Sequence, residues 1–525
     1  MFVDRWRLAA TLYACALAVS ACGSTAPSPS SSRVAAPTAT PVSTATLEPT
    51  ASPSASPLET TFSAAVVTGF TNPQPGISLT ALTRLAANGA LLVPCGITRF
   101  LGQRGTARCL KPDEIRSRLQ ARPLTIALLP AGLVEPKTKV LPVDSADLFG
   151  NAAARAMPYP VQVSGIGLDQ AATAYDAANI RTLVSLGDSC PDRGVAYQAI
   201  TLGKGWSWVM GGGTAKYTRV YPNPVGPGKV GDGYDIVSAV PTGNFGAVAK
   251  LTSGADITVD DFECPVVDDW RVNDGVVFSI DPRAVTAMRK ILGIDLATLA
   301  ANHLSDQGPA GLLSTLEKFD ANGIAHVGAG RDLDGALDPA FVNVKGLRFA
   351  FVGFNDVPGV ARAAIGTPGV AWLTEANVRE AVRRARAGKA DIVFCMPQWW
   401  NSEGKEYFAP FSPLQVAQRG IMLGAGCDQI LGAGSHWAGA ISFARDANGL
   451  HFAIGSHGNF LFGQDWSRQT QEGVILELTF RGTALAQVRL HPYIMLDQAQ
   501  ANLTDPLTDG QHVLRQVFDN SQLAY

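Results

Sequence analysis

LAANHLSDQGPAGLLSTLEKFDANGIAHVGAG, residues 299–330, places an Asn-His pair and an Asp at the exit of a strand and follows them at once with a well-marked helix. Asp295 to Leu299 is short, apolar and strand-like. Pro309 suits the first helical position, Leu312, Leu313, Leu316 and Phe319 recur at helical spacing, and Gly323 is placed to end the helix. Asn302, His303 and Asp306 therefore fall at the C-terminal end of a strand in an α/β sheet, where such folds collect their ligands.

Working outward, the same texture extends from Ile180 through most of the chain. Strand-like runs such as Ile257–Val259 and Ile392–Met396 alternate with amphipathic stretches such as Glu375–Ala387 and Pro413–Ala425, which implies a layered α/β domain over residues 179–500. Its last part, with turn signals at Ala447-Asn448-Gly449 and Arg481-Gly482, adds antiparallel sheet. Residues 501–525 read as a peripheral tail. Residues 61–178 hold short mixed segments without a catalytic constellation and read as an accessory domain for packing or positioning, with ligand binding as the alternative.

The N-terminus gives an address. Arg5 and Arg7 precede an apolar run from Leu8 to Val19 that leads into Ser20, Ala21 and Cys22, which resembles the lipobox of a bacterial lipoprotein signal. Cleavage after residue 21 would leave Cys22 lipidated, anchoring an exported, extracytoplasmic protein to the membrane; the alternatives are an ordinary secretory signal or an uncleaved anchor. Residues 22–60, almost wholly Ser, Thr, Pro and Ala, cannot bury a core and read as a tether. In an oxidising compartment Cys95 and Cys109 are expected to close a short loop as a disulfide, Cys190 and Cys264 are a second candidate pair, and Cys395 and Cys427 are read as buried thiols. With 525 residues and a formal net charge of −2, with Lys and Arg scattered, the chain argues against a nucleic-acid partner.

Polar residues suited to metal or phosphate chemistry recur at successive strand ends: Gly187-Asp188-Ser189-Cys190-Pro191-Asp192-Arg193-Gly194, Asp260-Asp261-Phe262-Glu263, Asn302-His303 with Asp306, and Gly432-Ala433-Gly434-Ser435-His436. Each alone reads equally as a turn or a solvated loop. Together, carboxylates, imidazole and an amide oxygen converging from separate loops are the ligand types that hold a divalent ion.

These motifs carry a family resemblance. Residues from about Leu183 to Tyr493 resemble the CapA family of capsule-synthesis proteins associated with poly-γ-glutamate, whose domain is similar to the calcineurin-like metallophosphoesterases. GDSCPDRGV at Gly187, ADITVDDFECPV at Ala255, LAANHLSDQG at Leu299, IAHVGAGRD at Ile324 and GSHGNFLFGQ at Gly455 match its motifs in order. The resemblance implies an α/β fold, a four-layer α/β/β/α metallophosphoesterase-like sandwich, with an additional N-terminal accessory domain. The chain also departs from the family: Gln398-Trp399-Trp400 replaces a His-Trp-Gly motif, Gly432-Ala433-Gly434-Ser435-His436 stands where the family has Gly-His-His-Pro-His and keeps only the last His, Asp261 replaces an Asn, and Ala301 replaces the first Asn of Asn-Asn-His.

By that analogy Asp188, Glu263 and His436 hold one divalent metal ion, with Asn302 orienting substrate or a second ion whose remaining histidines are here Gln398 and Gly434. One ion is expected rather than two. His303 is the expected general acid, with Asp306 orienting its imidazole. Asp192, Arg193, Gln398, His457 and Asn459 are candidate contacts to substrate or a second ion. Trp399, Trp400, Tyr407, Phe408 and Phe411 either wall the cleft or pack a loop. The resemblance implies synthesis or export of an anionic polymer such as poly-γ-glutamate, with membrane-bound synthase subunits as partners. Two rivals stand beside it: a non-catalytic polymer-binding or synthase-assembly subunit, and an envelope phosphoesterase unrelated to capsule.

Overall fold

The computed structural model describes residues 58–523 except 106–108, 273–274, 402 and 448. The expected signal segment, Cys22 and nearly all of the expected tether lie outside the described residues. In the 299–330 stretch, strand Leu296–Thr298 leads through the Asn302–Asp306 turns into helix Gly308–Ala321, with Pro309 in its first turn, and the chain returns as strand Ala325–Val327. Gly323 ends the helix at φ +65°, a conformation that glycine adopts without Cβ strain.

This unit extends a ten-stranded sheet. Ala325–Val327, Leu296–Thr298, Ile257–Phe262 and Ile180–Cys190 run parallel, followed by Glu472–Arg481 and Ala484–Leu496 in antiparallel pairing. A six-stranded sheet built around Leu347–Asn355, Ile392–Gln398 and Gln429–Leu431 faces it. Strand alternation sends Leu183, Ile257 and Val259 from the first sheet and Phe351, Phe394 and Phe452 from the second into one core. Phe351 and Phe394 stack at 5.0 Å between ring centroids, and Phe480 meets Phe394 edge-on. Helix Gly308–Ala321 covers the outer face of the first sheet through Leu312, Leu316 and Phe319, and helices Glu375–Ala387 and Pro413–Ala425 cover the second. The layers are therefore α/β/β/α, as the resemblance implies.

Residues Thr60–Gly165 form a further six-stranded sheet with its own core around Val66, Leu82 and Leu128. A second apolar cluster continues through Phe149 to Ile180 and Ala486 of the sandwich. Gln487 Oε1 accepts the Val140 N–H at 2.8 Å, and Arg489 pairs with Asp147 at 2.6 Å.

Two expectations are corrected. The expected C-terminal tail is integral: Gln500–Thr504 is a strand of the large sheet, and helix Gln511–Asn520 buries Val513, Leu514, Val517 and Phe518. Those four positions share one helical face, which the inter-sheet core covers. Cys395 and Cys427 are not free thiols but a disulfide, alongside Cys95–Cys109 and Cys190–Cys264. Residue 395 lies in a strand paired with Gln429–Leu431, so Cys427, just before that strand, is brought beside it.

Candidate metal centre

Strand Ile180–Cys190 carries Asp188 to the cleft fully buried. Gly187 permits the approach, since a Cβ there would lie 1.9 Å from the Gly458 carbonyl oxygen. Strand Asn459–Phe462 thereby lies parallel to it, with Asn459 opposite Asp188. The carboxylate accepts N–H groups from Gly434 and His436, each at 3.2 Å. His436 is held at φ +56°, a conformation uncommon for a residue with a side chain. Its Nδ1 sits 2.8 Å from Asn459 Oδ1 and 3.0 Å from Asp188 Oδ2. Asn459 donates its amide hydrogens to Gln464 Oε1 and the Thr470 carbonyl, so Oδ1 is the acceptor, Nδ1 carries the proton and Nε2 keeps its lone pair.

Glu263 follows strand Ile257–Phe262 and is also fully buried. Asp188, Glu263 and His436 each offer a ligand atom, and these atoms lie within 4.8 Å of one another. Neither Glu263 oxygen makes a hydrogen bond of good geometry, although the Gln398 side-chain amide lies close enough to favour its charged form. Burial, then the charges of Asp188 and Asp261, push its carboxyl well above the usual carboxylate range. A buried acid without donor or cation is costly unless it is neutralised or coordinates an ion, so this donor set fits a divalent metal.

The opposite wall is closed on itself. The Asn302 N–H donates to Gln398 Oε1 at 2.7 Å, and Gln398 Nε2 donates to Asn302 Oδ1 at 3.0 Å. Gln398 also fills the space over Gly434, where a Cβ would come 2.7 Å from Gln398 Cγ. The two residues expected to serve a second ion thus satisfy each other. Nearby, His303 Nδ1 lies 3.0 Å from Asp306 Oδ2, which also accepts the Phe278 N–H at 2.9 Å. The carboxylate orients the ring and leaves Nε2 as the nitrogen available for proton transfer.

His303 and His436 line a cavity of about 940 Å³ with Arg193, Phe278, Tyr407 and Trp466 among its walls. Arg193, at φ +46°, lies 4.6 Å from the Phe278 ring centroid, and its Nε donates to the Gly275 carbonyl at 2.7 Å. Burial lowers its proton affinity, against the nearby charge of Asp192. Asp192 acts on the backbone instead, accepting the Arg193 and Ser279 N–H groups and so fixing the start of the Arg193 turn. Of the expected aromatic cluster, Trp399 is wholly buried and donates Nε1–H to the Gly455 carbonyl, Phe411 packs against it, and Tyr407 faces the cavity.

His457 is buried beside this site, near the Gly432 backbone but with neither ring nitrogen in a hydrogen bond of good geometry, and burial pushes its pKa down to about 4, which keeps it neutral. Sequence reasoning missed Phe278, Phe462 and Trp466 as cavity walls: Phe278 and Trp466 come from separate loops, and Phe462, although inside the quoted GSHGNFLFGQ stretch, is an apolar residue at the end of strand Asn459–Phe462 with nothing local to mark it as cavity-facing. Asp261 stood out as part of the Asp260–Glu263 strand end and as a departure from a family pattern.

The family described as "Bacterial capsule synthesis protein PGA_cap" matches residues 182–464, and the chain belongs to that family. The capsule biosynthesis protein CapA of Bacillus anthracis is 28% identical over 284 residues, covering 52% of this chain and 66%, just under two thirds, of that protein. The PGA biosynthesis protein CapA of Bacillus subtilis (strain 168) is 25% identical over 285 residues, covering 54% and 72%. Among solved structures, the NAD nucleotidase of Haemophilus influenzae aligns with a TM-score of 0.33 at 14% identity, covering 65% of this chain and 55% of that one.

Proposed function

We propose that the protein takes part, at the cell envelope, in making or exporting an anionic capsule polymer such as poly-γ-glutamate, through hydrolysis or transfer assisted by one divalent metal ion. The convergence of buried ligand atoms from Asp188, Glu263 and His436 within 4.8 Å carries this reading. Those residues would hold the ion, which when bound supplies Lewis-acid polarisation or an activated water. His303 holds a proton at Nε2 for the leaving oxygen, and Asp306 fixes the ring that delivers it. Arg193, whose guanidinium forms no ion pair among the described residues, offers it to an anionic group of the substrate, and the aromatic walls restrict water around it. Lipidation of Cys22 would supply membrane attachment; no described helix is long and apolar enough to cross a bilayer.

A second reading is favoured by the Asn302–Gln398 amide pair: a polymer-binding or synthase-assembly subunit that keeps the cleft and lacks catalysis. Metal content measured by mass spectrometry separates the two. The full chain, purified in detergent, is compared with the double variant Asp188→Ala/His436→Ala. About one ion per chain in the parent, lost in a folded variant, supports the metal-assisted reading. A folded parent without metal moves the function to binding or assembly.

A further inference from the structure

Two of the motif stretches meet on one wall of the cavity. Gly463 and Gln464 follow strand Asn459–Phe462, and a Cβ at Gly463 would lie 3.0 Å from the Gly194 backbone nitrogen and 3.3 Å from Arg193 Cβ, so a residue without a side chain lets this turn pack against the Arg193 turn. The Arg193 guanidinium lies 4.6 Å from the Phe278 ring centroid and 5.8 Å from that of Phe462, and Phe462 in turn lies 5.0 Å from the His436 ring. Gln464 is only 4% exposed and borders the cavity. A chain of hydrogen bonds fixes its orientation. The Thr470 carbonyl can only accept, so the Asn459 atom 3.1 Å from it is Nδ2, and the same nitrogen donates at 3.1 Å to Gln464 Oε1. The Gln464 amide nitrogen is thereby turned away from Asn459, and it has no hydrogen-bond partner among the described residues. The lining's other glutamine, Gln498, donates its amide to Asp465 instead. A buried side chain on a cavity wall, with its acceptor committed and its two N–H groups uncommitted, asks for an acceptor from the cavity.

From this arrangement we infer that Gln464 is a specificity-determining contact of the substrate, donating Nε2–H together with the terminal Arg193 N–H groups to one carboxylate of the bound molecule. The inference rests on the anionic-substrate reading above and narrows it to a carboxylate-bearing chain in preference to a phosphorylated one. Arg193 Nε is committed to the Gly275 carbonyl, which leaves the two terminal nitrogens of the guanidinium as an end-on fork for a planar, two-oxygen acceptor. One guanidinium and one neutral amide supply a single positive charge, which a carboxylate matches, whereas a terminal phosphate carries about 1.5 to 2 negative charges. Glu406, an exposed acid on the same lining, further disfavours a multiply charged group.

The test uses the full chain in detergent, its ion content measured by mass spectrometry, in calorimetric titrations with a short oligo-γ-glutamate, the same oligomer with its carboxylates converted to amides, and tripolyphosphate. The parent is expected to bind the oligo-γ-glutamate at least roughly tenfold more tightly than either of the others. Gln464→Glu keeps an oxygen for Asn459 and puts a second oxygen where the donor was; it should weaken oligo-γ-glutamate binding at least roughly tenfold while the ion content stays as in the parent. Unchanged affinity in Gln464→Glu overturns the contact and leaves the anionic-substrate reading intact. A parent that binds the amidated oligomer or tripolyphosphate as tightly overturns the carboxylate assignment, and a parent that binds none of the three removes the reading and the inference together. Loss of the ion along with the affinity in Gln464→Glu would make Gln464 a support for Asn459 and His436 and not a contact, which also overturns the inference. If Gln464→Glu does not fold, Gln464→Met takes its place: it removes the donor without adding charge and should weaken oligo-γ-glutamate binding about tenfold, and equal affinity overturns the inference.

Discussion

The two walls of the cleft are built from similar polar residues and are left in opposite states. On one, Asp261 and Glu263 bury carboxylate oxygens that make no hydrogen bond of good geometry. On the other, Asn302 and Gln398 exchange a pair of hydrogen bonds, and the Gln398 amide also lies close enough to Glu263 to favour its charged form. Folding rarely leaves buried polar atoms unpaired, so the first wall is the one whose chemistry suits a cation, and the second is satisfied largely by its own packing.

Glu263→Gln should break the contrast most severely. It removes a charge that the ion would satisfy, and ion affinity should fall roughly a hundredfold. The ion-free protein should become more stable, by about 1–3 kcal/mol, because a buried unpaired acid gives way to a neutral amide. Calorimetric titration and melting in chelator read the two effects; an ion-free melting temperature that falls would count against an unsatisfied acid at this position. Arg193→Lys should come next. Exchanging a planar fork for a point charge should weaken binding of a short acidic oligomer about tenfold, or about 1.4 kcal/mol. Unchanged binding by fluorescence anisotropy would remove Arg193 from substrate recognition. Gln398→Ala sharpens the contrast from the closed side. It deprives Asn302 of two partners and should cost about 1 kcal/mol in urea denaturation, while metal content stays as in the parent. Loss of the ion in this variant would make Gln398 part of the centre.

Much of this arrangement was legible in the chain because it depends on local order. The strand, Asn-His turn and Pro309-started helix of residues 299–330 announce themselves through short-range chemistry, and Asp188, Glu263 and His436 stand at ends of sequential elements. What escaped depends on distant partners. Cys395 meets Cys427 only because two strands become parallel neighbours, and the face of helix Gln511–Asn520 has meaning only once the inter-sheet core exists to cover it. The hairpin Thr214–Pro222 with Asp235–Gly243 also lacks a strong sequence signal; most of its residues are at least partly exposed, so alternation is weak. Asp261 is the most instructive case. Sequence registered a changed residue, whereas only the register against Asp188 and its unpaired oxygens give the change a chemical meaning.

The smallest expected effect lies away from the cleft, where a buried charge is left unmatched by the packing and not by a missing ligand. Lys139, in strand Thr138–Val140 of the N-terminal sheet, donates Nζ–H bonds to the carbonyls of Asn72 and Gln74 but has no acidic partner in ion-pair distance among the described residues. Burial, then the nearby Arg489, lowers its pKa to about 7. The unfolded lysine titrates near its ordinary value of 10.5, so between about pH 7 and that value the unfolded chain binds more protons than the folded one. Stability should therefore rise with pH across this window, the opposite of what a lysine held by a carboxylate would give. Because the side chain is partly exposed, the gain between about pH 7.5 and 9.5 should be on the order of 1 kcal/mol or less. Urea midpoints at the two pH values, compared between the parent and Lys139→Met, isolate this contribution from other titrating groups. The parent should gain stability relative to the variant on going to the higher pH; parallel shifts in the two proteins would mean that Lys139 keeps its ordinary proton affinity and that its carbonyl contacts offset the burial.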